Sequence, residues 1–275
     1  MKKHIGKCAL CRNECELSFE HIPPHSSFNS TPAKPVSGDK LMLDDNRMPW
    51  EIDGLPYTNQ QRGMGKYSLC ASCNNLTGTW YGDDYKYMAH LINHALLHLV
   101  APDVKGIEIR KIHPLRFIKQ VISMFCSINN NNDPRFEPLR RFVLDKDAVG
   151  LDKNKYKLCM YFTKSNMIKY APLSALLMMG EEKCESIALS EITAYPLGFL
   201  LYFDPFPSWK YEGIDITSFA DCKYDDIATV EMPLCIKEVN DVFPAYYRTK
   251  EEIIECVENN KKWAEEDDIN KDDQS

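Results

Sequence analysis

Leu17-Ser18-Phe19-Glu20-His21-Ile22-Pro23-Pro24-His25 lies between two cysteine pairs, Cys8-x-x-Cys11 and Cys70-x-x-Cys73. Leu17 to Ile22 read as a short strand. Pro23-Pro24 end it, because proline has no N–H to give a ladder. Neighbouring side chains of a strand point to opposite faces. Glu20 and His21 therefore reach one centre only if the strand end bends or bulges. Directly after the second cysteine pair stands Asn74.

The two C-x-x-C pairs supply four thiolates, the number that a tetrahedral structural zinc ion takes. Cys8, Cys11, Cys70 and Cys73 are the expected ligands, although the pairs stand further apart than in a compact zinc ribbon. The chain has 11 cysteines. An odd total without a secretory signal argues against a disulfide framework. The scattered singles read as small buried hydrophobes, and Cys15 as a buried or exposed bystander.

Residues 26–66 are rich in Ser, Pro, Gly, Asn and Asp and read as a long loop inserted between the halves of the metal site. Tyr67 to Leu69 are a candidate second strand. Gly78 and Gly82 weaken the first turns after the second cysteine pair, so a firm helix is expected only from about Asp83, with Met88, Leu91, Ile92, Ala95, Leu96 and Leu99 as its apolar stripe and Pro102 as its end. A second helix starts at His113-Pro114, and a short third runs from Pro134 to Leu144. His90, His94 and His98 fall at helical spacing, but without an H-E-x-x-H pattern they read as a surface flank rather than a metal site.

A boundary is expected near 146–154, in a charged, turn-forming run. Beyond it, Tyr156–Thr163, Glu185–Ala194, Gly198–Phe203, Ile214–Phe219 and Ala228–Ile236 read as strands of an antiparallel sheet or small barrel. Thr249-x-x-Glu252 is a capping box that opens a terminal helix. The domains are thus 1–150, 151–264 of unassigned role, and an acidic, disordered tail over 265–275. The fold class is α+β.

The net charge is −7. Residues 1–150 carry 19 Lys+Arg against 16 Asp+Glu, and residues 151–275 carry 14 against 24. An acidic whole is poorly suited to nucleic acid, yet the positive half holds the acid–histidine pair. No apolar run reaches membrane-span length, and no leader is visible, so a cytoplasmic protein without a membrane partner is expected.

Cys8, Cys11, Glu20, His21, Pro23, Cys70, Cys73 and Asn74 together resemble the HNH family, the ββα-metal or His-Me finger endonucleases. The resemblance covers roughly the first 90 residues. It implies a zinc-stapled ββα-metal finger in which His21 is the general base, Glu20 and Asn74 hold a catalytic Mg²⁺ or Mn²⁺, and the zinc is structural. The family often has Asp where this chain has Glu20. The family's middle asparagine, which orients the histidine, would fall at Gly65, beside Gly63 and Lys66. The orienting group is therefore open, with a backbone carbonyl of this glycine-rich turn as the candidate. Arg62, Lys66 and His25 are candidate phosphate contacts, with solvated loop residues as the alternative reading of each.

The implied activity is hydrolysis of DNA phosphodiester bonds, with RNA left open as a substrate. A regulated effector nuclease of prokaryotic antiviral defence is one form of it. The alternative is a non-catalytic zinc module that binds nucleic acid or protein. The acidic, aromatic-rich C-terminal half is expected to serve a homodimer or a regulatory partner rather than to grip DNA.

Overall fold

A computed structural model describes residues 3–42, 47–98, 105–179 and 184–272. Strands β1 (Ile5–Lys7), β2 (Glu14–His21) and β3 (Gly65–Cys70) form an antiparallel sheet in that order. Between β2 and β3 the chain is mostly irregular, broken by α1 (Gly38–Met42) and by bridges Ala33–Gln60 and Val36–Tyr57.

Helix α2 (Ala71–His98) begins directly after Cys70, not near Asp83. Gly78 and Gly82 lower its propensity, but a buried stripe of Cys73, Thr77, Tyr81, Tyr85, Met88, Ile92 and Leu96 outweighs them. Leu91 and Ala95, expected on that stripe, lie at its margin. Leu99 and Pro102 fall outside the described residues. Strand β4 (Gly106–Ile112), unexpected from the sequence, leads into α3 (Pro114–Ile128), whose side chains are almost all buried. A 3₁₀ turn at Pro134–Phe136 then feeds α4 (Glu137–Leu144).

In the second half, β5 (Tyr156–Phe162), β6 (Lys169–Met179), β7 (Cys184–Ala194), β8 (Leu197–Phe203) and β9 (Ile214–Asp215) make an open five-stranded antiparallel sheet, ordered β6-β7-β8-β5-β9. It is a sheet with two edges rather than a barrel. The expected strand over Ile214–Phe219 stops after Asp215, whose carboxylate accepts from the Thr217 N–H at 2.9 Å and turns the chain into a 3₁₀ helix. The last strand, β10 (Ala228–Pro233), does not join this sheet; it pairs antiparallel with β4 of the N-terminal half. Helix α5 (Lys250–Asp272) opens on the expected capping box, with reciprocal Thr249–Glu252 bonds of 2.7 and 3.1 Å. It runs on through the segment read as disordered tail up to Asp272, in keeping with the helix propensity of Glu, Lys and Ala.

The run near 146–154 is a turn, but the hydrophobic core does not divide there. One apolar cluster extends from Leu10 and Leu69 through Phe117, Ile118 and Phe125 of α3 to Phe199, Leu201 and Phe203 of β8. Helix α3 packs on α2 and α4, on β3, and on β6 and β7. The sequence hint for this was the continuous apolarity of α3, since a helix buried on all sides has neighbours on all sides. No helix among the described residues is long and apolar enough to cross a membrane.

Candidate metal centre and acid–histidine site

Two short turns bring the four expected cysteines together. The Sγ atoms of Cys8, Cys11, Cys70 and Cys73 all lie within 4.8 Å of one another, so the cluster could hold a metal ion such as zinc. The first turn closes through Arg12 N–H to the Cys8 carbonyl (3.1 Å) and is tied to β3 through Ala9 N–H to the Ser68 carbonyl (2.8 Å). The buried Arg140 of α4 donates to the Ala9 carbonyl at 2.9 Å, fixing the turn from the other side. Hydrogen bonding to Cys73, aided by the backbone N–H of Cys70, pulls the Cys8 thiol down to about 4, while the same contact and burial push Cys73 up.

The acid–histidine pair sits one strand away. The β2–β3 register slips between Ser18 and Phe19, just before Glu20. Beyond that irregularity Glu20, His21, His25 and Asn74 line a single cavity of about 180 Å³. Four of the expected site residues line it, although the extra residue of the slip, Ser68, stands on β3 and the expected bend of β2 between Glu20 and His21 is not seen.

Glu20 is buried against α3. Its Oε2 accepts from Ser68 at 2.9 Å and from Ser127 in a very short contact. Its Oε1 is buried with no hydrogen-bond partner among the described residues. Burial pushes the carboxyl up to about 7, against the opposing pull of Ser127, Ser68 and Lys66. Asn74 spends its Nδ2 on Ser18 Oγ (3.1 Å) and the Phe19 carbonyl (3.2 Å). Its amide oxygen accepts no hydrogen bond among the described residues, and the residue lines the cavity.

His21 is fixed by the carbonyl of Arg62, 2.9 Å from its Nε2. A carbonyl only accepts, so Nε2 carries the proton and Nδ1 keeps its lone pair. Burial lowers the imidazole's proton affinity, the Arg62 carbonyl raises it, and His25 lowers it further; the net direction is down. The orienting group left open by the sequence is thus a backbone carbonyl, three residues upstream of Gly65. Its loop is locked by Asn29, which donates to the Pro23 and Met64 carbonyls (2.6 and 2.8 Å) and accepts from the Met64 N–H (2.7 Å). Gly63 has φ +96°, and a Cβ there would stand 2.0 Å from the Asn29 carbonyl oxygen. A Cβ on Gly65 would stand 2.1 Å from the Glu20 carbonyl oxygen.

Arg62 and Lys66 do not line the smaller cavity. They line a larger cleft, about 720 Å³, on the other side of His21, which borders both. Lys66 Nζ also reaches the Ile128 carbonyl at 3.4 Å, and burial lowers its proton affinity against the pull of Glu20. His90 bonds the Ser26 carbonyl (2.9 Å), and the rings of His94 and His98 lie 4.3 Å apart. These three form no metal cluster among the described residues. Sequence reading missed Asn29, Ser68, Ser127 and Gln120. A signal for part of this existed: Gln120, Ser123 and Ser127 form a polar stripe at helical spacing on the otherwise apolar α3, and all three are buried. In comparison with known proteins, no family model, no curated protein and no solved structure matches this chain.

Proposed function

We propose that the chain is a metal-dependent endonuclease of the HNH, or ββα-metal, type that hydrolyses DNA phosphodiester bonds. One observation carries the reading: a histidine held by a backbone carbonyl shares a cavity with a half-satisfied carboxylate and a free amide oxygen. The buried, unpartnered Glu20 Oε1 is a test of fit, because such an oxygen is costly unless something positive meets it. Together with the Asn74 amide oxygen it offers the hard donors that Mg²⁺ or Mn²⁺ prefers. When bound there, such an ion supplies charge stabilisation at the phosphate and at the leaving oxygen.

The protein's own part begins at His21. With Nε2–H committed to Arg62, Nδ1 is the atom that accepts a proton from water. The lowered proton affinity keeps the ring neutral and ready to accept at neutral pH. The resulting hydroxide attacks phosphorus, the bond from phosphorus to the 3′ oxygen breaks, and the departing oxygen takes a proton from solvent water to leave as a hydroxyl. The four-cysteine cluster, bound to zinc, holds β3 and the start of α2 so that Asn74 and Glu20 keep their places.

A second reading, a non-catalytic zinc module, draws support from the closing of Ser68 and Ser127 over Glu20, as in a packed structural acid. Plasmid DNA incubated with purified protein and Mg²⁺ or Mn²⁺ separates the two. Cleavage that is lost in His21→Ala, with zinc content and fold intact, is expected. Cleavage that persists in His21→Ala moves the base elsewhere, and no cleavage by the wild-type protein leaves the module reading.

A further inference from the structure

The cleft beside His21 is built like a receptor for a flat, uncharged ring next to an anion. Four rings line one side of it, those of His21, Phe19, Tyr67 and His4. His21 and Phe19 are 5.1 Å apart between centroids and Phe19 and Tyr67 5.4 Å, each pair meeting edge to face. Tyr67 then stacks on His4 at 3.6 Å with planes 9° apart. The row thus starts at the proposed general base and runs outward over β2 and β3. Tyr67 is 46% exposed, so this is not a buried core cluster.

The facing wall is the segment from Thr58 to Gly63. Gln60 spends its amide on both backbone groups of Gly65, at 2.9 and 3.1 Å, and is structural. Gln61 donates to Asn59 Oδ1 at 2.9 Å, which leaves the Asn59 amide N–H groups and the Gln61 amide oxygen without protein partners among the described residues. A free donor and a free acceptor side by side are the groups that read a base edge. Arg62 and Lys66 supply positive charge, and no Asp or Glu among the described residues lines the cleft, although the chain as a whole is acidic.

We propose that this cleft takes an unpaired nucleobase, so that the strand placed for cleavage at His21 is single-stranded or locally unstacked. A duplex keeps its base faces within the stack and cannot lay one on a row of side-chain rings, whereas a single strand can. A volume of about 720 Å³ lies within the size range of small-ligand sites. The inference rests on the nuclease reading for why a strand lies at His21, but it concerns recognition and is read by binding.

The experiment is fluorescence anisotropy of the full-length, zinc-loaded protein in Ca²⁺, at one fixed salt concentration. The probes are a labelled DNA single strand, the same strand in its duplex, and an RNA single strand. The wild-type protein binds both single strands more tightly than the duplex. Tyr67→Ala weakens single-strand binding about tenfold, while Tyr67→Phe, which keeps the ring, stays within about twofold. Equal affinity for strand and duplex overturns the inference, as does no change in Tyr67→Ala or no binding to any probe. Plasmid cleavage is scored separately. Cleavage without strand preference removes this inference and leaves the nuclease reading; strand preference without cleavage does the reverse.

Discussion

Two glutamates are buried among the described residues, one in each half, and they are treated in opposite ways. Glu191 of β7 is fully buried, and both of its oxygens are met. Lys169 Nζ is 2.9 Å from Oε2, the Ala245 N–H donates to Oε2 at 2.9 Å, and Tyr161 and Tyr247 donate to Oε1 at 2.5 and 3.1 Å. Among the described residues Glu20 of β2 has two serine donors, both on Oε2, and no partner for Oε1. A fully satisfied polar network rigidifies its surroundings, whereas a buried group left half satisfied is either a cost or a place for a ligand. The C-terminal sheet has the first arrangement, and through Ala245 and Tyr247 its acid pins the segment before α5. The N-terminal hairpin has the second, beside a carbonyl-held histidine and a free amide oxygen.

The largest effect should come from the device that holds the N-terminal region. Cys70→Ser, or removal of the bound metal, should destabilise the protein by several kcal/mol, since structural zinc binding in small modules is worth about 10 kcal/mol or more. Thermal melting combined with elemental analysis reads this out, with about one zinc per chain expected in the wild type. Well-folded protein that carries no metal would break the account of this region.

Next in size is the satisfied acid. Glu191→Ala leaves Lys169 buried without its partner, 6% exposed in its side chain. Losing one member of a buried pair costs about 3–5 kcal/mol. Urea denaturation should show a loss of that order, with zinc content unchanged. A loss below about 1 kcal/mol would mean that the network is ornamental rather than structural.

Smaller, and opposite in sign, is the effect at Glu20. Its carboxyl stands at about 7 in the folded chain because of burial, above the usual carboxylate range of about 4 in the unfolded one. The folded state therefore binds the extra proton between those values, and stability falls as pH rises from about 4 to about 7. The wild-type protein should lose on the order of 3 kcal/mol across that window relative to Glu20→Gln, in buffer without added divalent cation. The difference should then level off above the folded value. Parallel pH profiles for the two proteins would show that Glu20 is not held protonated by its surroundings.

How much of this was legible in the chain differs between the same two regions. The acid–histidine pair, the four cysteines and Asn74 are close in sequence to the turns that position them, so local spacing sufficed to group them. The orienting carbonyl of Arg62 carries no side-chain signature, and Asn29 acts on backbone groups of Pro23 and Met64, so neither was visible. In the second half, strand identity was legible from β-branched and aromatic runs, but pairing was not. β10 has the composition of its neighbours and still leaves their sheet to pair with β4. Strand β6 was missed because Pro172 and Ser174 interrupt its pattern, at the place where its register with β7 shifts. The aromatic run from Tyr195 to Tyr211 reads mostly as core in the sequence, and Phe199, Tyr202, Phe203 and Trp209 are indeed buried. Across the expected boundary the core is shared, with Phe117 and Ile118 of α3 packed in one cluster with Phe199 and Leu201 of β8.

The contrast between the two glutamates is tested most directly by counting Mn²⁺. Electron paramagnetic resonance of the zinc-loaded protein, titrated with Mn²⁺, reports the free ion and hence the bound fraction. The wild-type protein should bind about one Mn²⁺ per chain, Glu20→Gln should lose that site, and Glu191→Gln should retain it. Equal Mn²⁺ binding by the wild-type protein and Glu20→Gln would contradict the account, because the unpartnered oxygen of Glu20 would then be a packing defect rather than a ligand position.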